Sequence, residues 1–347
     1  MSNRKEDFDR YYDNFKDIIE SNRKEEYNRY KKIKGKLIAE ISILTVAILV
    51  FLYYAYINNI MKYCEILIAV LSFILIIGLI ILNIRVLNKE KRFSCYILNA
   101  VIYELILDFL SNGNYYYKLN SQISEDDFNR MNLFNMQYLK FTGNNLTAAS
   151  YENKKLVMCD VWLYDLVERI KTDSYYSKRD NITYITNYHY HDRVDIFKGL
   201  YYETTINRDN DDYIYMIPNN FNDKFIQKNI YHYISYDGEK IELENLEFSE
   251  KYSVFSFDEI KSRYILSLTL MEKINRLDKL LNYKKYFVFK PDGRVGIFID
   301  GLQLDNLFNQ AFDLNSEITK DYINKLFIKI HKLFDITQVL EDFNPFE

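Results

Sequence analysis

Residues 37–57 read LIAEISILTVAILVFLYYAYI and residues 66–82 read ILIAVLSFILIIGLIIL. The first run holds a single charge, Glu40, near its start, and the second holds none; its flanks carry it from Tyr63 to Ile84. At ~1.5 Å of rise per residue, each run covers the ~30 Å hydrocarbon core of a bilayer. A helix satisfies its own backbone polar groups there. The reading is two transmembrane helices, 36–57 and 63–84, joined by an outer loop, 58–62. Core helices of soluble proteins are seldom so uniformly apolar. A connection this short makes an antiparallel hairpin.

Working outward, the flanks set the direction. Arg23, Lys24, Arg29, Lys31, Lys32, Lys34 and Lys36 precede the first run, and Arg85, Lys89, Lys91 and Arg92 follow the second. The loop holds Lys62 alone. That asymmetry places both termini in the cytoplasm of a multi-pass cell-membrane protein, and Tyr53, Tyr54, Tyr56 and Tyr63 form an aromatic belt at the outer boundary. A cleaved signal peptide does not fit, because the residues before Leu37 are rich in both acids and bases. Glu40 and Glu65 stand at span ends, where a carboxylate reaches the headgroups or the positive end of its own helix. An ion path would bring charge to mid-membrane.

Residues 1–35 carry Phe8, Tyr12, Phe15, Ile19 and Tyr27 at helical spacing and predict a cytoplasmic amphipathic helix, lying on the membrane or on the soluble domain. Residues 85–113 predict a juxtamembrane helix. Its stripe of Phe93, Ile97, Val101, Leu105 and Phe109, widened by Ile102, Ile106 and Leu110, requires cover. Ser111-Asn-Gly113 closes it as a C-cap.

Residues 114–347 mix strands and helices. Ser124 to Asp127 opens a short helix as a capping box. Leu146–Tyr151 and Leu156–Leu163 flank a turn at Glu152–Lys155. Tyr184–Tyr202 holds one or two strands, and Tyr213–Ile217 another. Tyr231–Ser235 and Lys240–Leu243 flank Asp237-Gly238 as a hairpin. Tyr286–Phe289 and Val295–Ile299 flank Pro291-Asp-Gly293 as another. Capping boxes at Ser256–Glu259 and Thr269–Glu272 open two helices, and a last helix runs from Ser316 to Phe334. Strands and helices in this order give an α+β domain with a mainly antiparallel sheet and packed helices.

Composition bounds the rest. The 347 residues carry a net charge of −4, are 48% hydrophobic and include 33 Tyr, 24 Phe, 9 Gly and 3 Pro. A chain of this balance is neither a bulk-basic nucleic-acid binder nor disordered. The Asn, Ile, Lys and Tyr excess fits an AT-rich genome. Cys64, Cys95 and Cys159 lie far apart and read as free buried thiols. His189 and His191 alternate in a strand and face one way. With Asp192, Asp195 or His232 they are the best material for a metal site, but zinc sites show denser ligand spacing, and a surface strand is the plainer reading. Asp209–Asp212 lacks the glycine and closing Glu of a calcium loop. The sequons at Asn145 and Asn181 do not meet glycosylation machinery in a cytoplasmic domain. Trp162 reads as a core aromatic. No phosphate-binding loop, nucleophile elbow, dinucleotide fingerprint or HExxH occurs, so catalytic residues, cofactor ligands and metal ligands are all assigned as none.

One series of positions resembles a known family. Phe197-Lys-Gly199-Leu200 is followed by Phe248-x-x-x-Tyr252-x-Val254-x-Ser256-x-Asp258, then Arg263-Tyr-Ile-Leu266 and Met271-Glu272. This order resembles the bacterial domain-of-unknown-function family 3137 over roughly residues 5–340. The chain departs from it at Ser267-Leu-Thr269, where a proline is usual, and at Tyr252, where phenylalanine is. The resemblance implies a charged N-terminal helix, a two-helix membrane hairpin and an α+β cytoplasmic domain, with no catalytic residue to carry over. The positions themselves read as structure: Gly199 permits a bulge or close backbone approach, and Ser256 caps a helix.

The expected function is therefore a membrane-anchored, non-enzymatic protein-interaction module. The bilayer, an unidentified cytoplasmic or membrane protein and a further copy of the chain are its expected partners, and nucleic acid is not. The alternative is a membrane-bound sensor or a domain that binds a small ligand or lipid.

Overall fold

The computed structural model describes residues 2–57, 65–137, 139–177, 179, 182–206, 212–219, 234, 238–310 and 312–341. The chain forms two compact units, Met1–Ile106 with Leu307–Ile328, and Leu107–Asn306 with Lys329–Glu347. The loop 58–62 lies outside the described residues.

In the first unit, helix α1 is Ser2–Ile57 and helix α2 is Glu65–Ser111. No break separates 1–35 from 36–57; Gly35 is exposed within α1 and a Cβ there would meet nothing within 4 Å. The buried face of the N-terminal half is Phe8, Tyr11, Ile19 and Arg23, whereas Tyr12, Phe15 and Tyr27 are only partly covered. The cover comes from the 307–328 segment: the Tyr11 ring stacks on Phe327 at 5.3 Å and Phe8 lies 5.6 Å from it. Arg23, which the charge count assigned to the basic flank, is 6% exposed. It bonds the Glu20 carboxylate at 2.7 Å and the Leu314 carbonyl at 2.6 Å.

The stripe on α2 is rotated from its expected place. Cys95, Leu98, Ile102, Tyr103 and Ile106 are buried, while Phe93 is half exposed. A strict four-residue repeat drifts around a helix of 3.6 residues per turn, and the mixed three-and-four repeat does not. Asn99 sits in that face and holds the incoming chain, donating to the Phe308 and Gln310 carbonyls at 2.9 and 3.0 Å and accepting from the Tyr322 hydroxyl at 2.7 Å.

Farther along both helices the apolar side chains face outward. Ile43, Val46, Leu49 and Val50 of α1, and Ile74, Leu75 and Leu82 of α2, are 54–71% exposed. Among the described residues, one segment, Ile77–Ser111, is long and apolar enough to cross a membrane by length and composition, and 56% of its apolar window is buried in the protein. Part of that apolarity thus serves a protein core.

The second unit is α+β. Its strands are β1 (Tyr115–Lys118), β2 (Lys140–Tyr151), β3 (Lys154–Ser177), β4 (Ile182–Thr205), β5 (Ile214–Pro218), β6 (Glu239–Ile241), β7 (Tyr252–Ser256), β8 (Lys285–Phe289) and β9 (Arg294–Asp300). They form one nine-stranded sheet of order β1-β2-β3-β4-β9-β8-β5-β7-β6, every pairing antiparallel. The chain's other helices are α3 (Glu125–Asn129), α4 (Leu246–Lys251), α5 (Glu259–Ile265), α6 (Leu268–Leu280), α7 (Leu304–Phe308) and α8 (Lys320–Glu341), of which the end of α7 and the start of α8 belong to the first unit. The central strands read as continuous apolar runs because both faces are covered, and all five residues of β8 are buried. One face holds Phe128, Phe134, Phe197, Tyr201, Val288 and Phe298. On the other, the Tyr151 ring meets Phe334 edge-on at 5.2 Å.

Local signals held where short-range chemistry decides. The Gly113 amide bonds the Asp108 carbonyl at 2.9 Å, with Asn112 and Gly113 at positive φ, so α2 closes as expected. Ser124 caps α3. The β2–β3 turn tightens to Glu152-Asn153, both at positive φ, as two-residue hairpins require. Two capping boxes shift. The cap of α5 is Asp258, since Ser256 is buried in β7, and the cap of α6 is Ser267. The last helix starts at Lys320 and runs past Phe334 to Glu341. Of the hairpin read around Asp237-Gly238, residues 231–233 and 235–237 lie outside the described residues; β6 pairs with β7, and Ile234 bridges Phe134.

Gly199 bears out its reading. A Cβ there would lie 2.1 Å from the Ile299 carbonyl oxygen of β9 and 2.9 Å from the Phe197 ring.

Candidate interaction surface

β3 and β4 are each 24 residues long, well beyond the strands beside them. β2 accompanies β3 only as far as Tyr164, and β9 joins β4 only from Gly199. Between these limits, from Asp165 opposite Val194 to Ser177 opposite Ile182, the two strands pair only with each other among the described residues. The result is a two-stranded ribbon whose free part measures ~40 Å at ~3.3 Å per residue. Ile, Val, Thr and Tyr recur along both strands and favour extended pairing beyond the sheet.

Its root is fixed by a stack. A register shift after Leu163 re-aims the strands. The Arg193 guanidinium lies 3.3 Å from the Trp162 ring centre and 3.7 Å from that of Tyr164, and the Lys198 ammonium is 4.3 Å from Trp162. The Trp162 indole donates to Asp195 Oδ1 at 2.8 Å, which also takes Arg193 Nε at 3.3 Å. Trp162 is therefore a half-buried platform between cations instead of a core aromatic.

Alternation assigns the faces. His189 and His191 do share one, with Glu168, Ile170 and Ile185. His189 Nδ1 is 2.8 Å from Glu168 Oε1, and both side chains are exposed. Asp192 points to the opposite face, where it pairs with Arg169 at 3.0 Å. Asp195 is taken by Trp162, and His232 and 209–211 lie outside the described residues. The candidate ligands are thus not brought together, and no group of three His, Cys, Asp or Glu stands in metal-holding geometry among the described residues. The second face adds Tyr175, Tyr184, Tyr188 and Tyr190, which are 46–69% exposed.

The buried polar clusters carry no signal in the sequence. Asn145, read only as a sequon, is fully buried at positive φ in a bulge of β2. Its amide donates to Asp160 Oδ2 at 2.7 Å. Asp160 also accepts the Leu304 and Asp305 amides, at 2.7 and 2.8 Å, so it caps α7 from across the sheet. Burial outweighs those donors and pushes its carboxyl up to about 6. A second cluster places the buried Lys285 ammonium 2.8 Å from Asp278 and 2.6 Å from the Leu281 carbonyl, with the Tyr252 hydroxyl 2.8 Å from the same Asp278 oxygen. Burial lowers the Lys285 pKa against the pull of Asp278. Cys95 and Cys159 are free and buried, and burial raises both thiols, Cys159 to about 12. Cys64 lies outside the described residues. Each of these polar groups is spent on protein, whereas the ribbon presents its aromatics to solvent.

No curated protein and no solved structure matches the chain. Residues 195–342 match the family model described as Protein of unknown function (DUF3137). The match is shorter than the 5–340 expected: it contains Gly199, Tyr252, Ser256 and Arg263, and it excludes both apolar helices and the free ribbon. Over residues 195–342, somewhat under half of its length, the chain is similar to the DUF3137 family.

Proposed function

We propose that this is a non-enzymatic, membrane-anchored interaction protein that docks partners on the β3–β4 ribbon. In this reading a hairpin of spans 36–57 and 63–84 holds it in the cell membrane with both termini cytoplasmic. The observation that carries the docking role is the ribbon itself: Leu166, Ile170, Tyr175, Tyr184, Ile185 and Tyr188 are each 44–69% exposed on a two-stranded element. An isolated two-stranded hairpin is marginal in water, and solvent-facing apolar patches of this kind mark contact surfaces. The anchor is supported by the exposed apolar collars on α1 and α2 and by the basic flanks.

The test compares the full chain with a variant in which Val167–Asp192 is replaced by Asn-Gly, a junction that keeps Leu166 opposite Arg193. Each is captured by a C-terminal tag from its native membrane in mild detergent. Proteins that copurify with the full chain and are lost with the shortened ribbon support the reading. An identical set from both variants, with untagged copies of the chain counted among the copurifying proteins, refutes it. Copurification of a small molecule or lipid without any protein favours the sensor alternative.

A further inference from the structure

The two long edges of the ribbon differ. On β3, residues 165–177 carry Asp165, Glu168, Arg169, Lys171 and Asp173. On β4, residues 182–191 read ITYITNYHYH, with no Asp, Glu, Lys, Arg, Pro or Gly. No described strand pairs with this edge before Gly199. Charges, prolines and bulges are the devices that keep an edge from pairing with another chain. The charged edge has such protection and the neutral one has none.

Resting on the ribbon being the docking surface, we infer that its partner is a second copy of this chain, joined by antiparallel pairing of the β4 edge with itself over residues 183–191. The asymmetry of the edges selects this arrangement. If both edges were open, β4 of one copy would pair with β3 of the next and the assembly would grow without closing. With β3 protected, neutral pairs with neutral about a two-fold axis, and the dimer closes.

The stretch is suited to self-pairing. In a sheet, an antiparallel two-fold stands perpendicular to the plane, so residues that meet have the same parity and lie on the same face. Centred at Asn187, the pairing sets Tyr184 against Tyr190 of the second copy, Ile185 against its His189, and Thr186 against its Tyr188. Aromatic and β-branched cross-strand pairs are the favourable ones, and no like-charged residues oppose each other. The nine residues 183–191 paired in this way form about nine backbone hydrogen bonds, a number typical of a specific interface. The two marginal ribbons become one four-stranded sheet.

The experiment uses the full chain in mild detergent, with mass read by light scattering corrected for detergent. A dimer is expected for the unaltered chain. The double variant Ile185→Lys, Tyr188→Lys should raise the dimer dissociation constant at least tenfold. Asn187→Cys, at the centre of the pairing, should crosslink between copies with a short thiol reagent far more than Asp173→Cys on the β3 edge, against the background of the native cysteines. Far-ultraviolet circular dichroism under reducing conditions verifies that each variant is folded. A monomeric chain, or equal crosslinking at 187 and 173, overturns the inference. A monomer that still recovers a different protein through the ribbon overturns self-pairing while leaving the docking role standing. Indifference of every partner to ribbon deletion removes both.

Discussion

Substituting glycine by alanine at three positions gives a graded test of how the sheet is packed. At Gly199 the added Cβ would sit 2.1 Å from the Ile299 carbonyl oxygen and 2.9 Å from its carbon, both backbone atoms of the paired β9. An ordinary contact is ~3.5 Å or more, so β4 and β9 would have to part by more than ~1 Å. Ile297, Phe298 and Ile299 beside it are fully buried, leaving no slack to absorb the movement. Overpacking of this kind costs about 3 kcal/mol, the upper part of the usual range. At Gly296 the nearest atom is Met131 Sδ at 2.7 Å, the far portion of a flexible side chain, and the cost should be about 1 kcal/mol. At Gly35, exposed and helical with nothing within 4 Å, alanine should stabilise its helix by up to ~1 kcal/mol. Trp162, the one tryptophan, lies in the sheet unit and reports its unfolding by fluorescence. For a unit of this size ~3 kcal/mol corresponds to a midpoint lower by about 6–12 °C for Gly199→Ala. Gly296→Ala should lower it by about 2–4 °C, and Gly35→Ala should leave the tryptophan transition unmoved. If Gly199→Ala melts within 2 °C of the unaltered chain, the close approach of β4 to β9 is wrong.

Further outcomes follow from the buried groups. Burial raises the Asp160 carboxyl to about 6 from 3.8, so between those values the folded protein holds a proton that the unfolded chain has released. Its contribution to stability is therefore greatest below pH 4 and is lost as pH rises through about 6, a change on the order of 3 kcal/mol; urea titrations at pH 4 to 7 should show this slope, and Asp160→Asn should flatten it. Asp278→Ala leaves the buried Lys285 ammonium without its carboxylate and should cost about 3–5 kcal/mol in urea unfolding, whereas the paired change Asp278→Leu with Lys285→Met should recover most of that. Cys95 and Cys159, buried with raised pKa, should resist a water-soluble alkylating reagent in the folded protein and react in denaturant, as peptide mapping would read; rapid labelling of either in the folded state would contradict their burial. Gly113→Ala forces alanine to φ +80° at the end of α2 and should cost about 1 kcal/mol.

The sequence alone determined what rests on neighbours along the chain. The Gly113 closure, the Ser124 cap, the turn beside β2 and the β8–β9 hairpin depend on a few consecutive residues, and each lies where those residues put it. The α+β class and the free thiols of Cys95 and Cys159 were legible for the same reason, since apolar period and cysteine spacing are properties of the string. The close approach at Gly199 was visible as a glycine inside a strand. What the tertiary structure decided was every matter of which distant residue comes next to which. Ser256 would cap a helix by its pattern, but β7 claims it, so Asp258 takes the role. Arg23 counts as a basic flank in the sequence and is a buried link to Leu314 in the fold. Asn145 and Asp160 gave no sign of one another because a bulge and a distant helix end bring them together. The ribbon shows the division most clearly. Strand propensity foretold extended chain at 156–163 and within 184–202, but not that β3 runs on to Ser177; that the outer halves of β3 and β4 extend past their neighbours follows only from where β2 ends and β9 begins. Local chemistry decides conformation, whereas exposure is decided by what the remainder of the chain leaves uncovered.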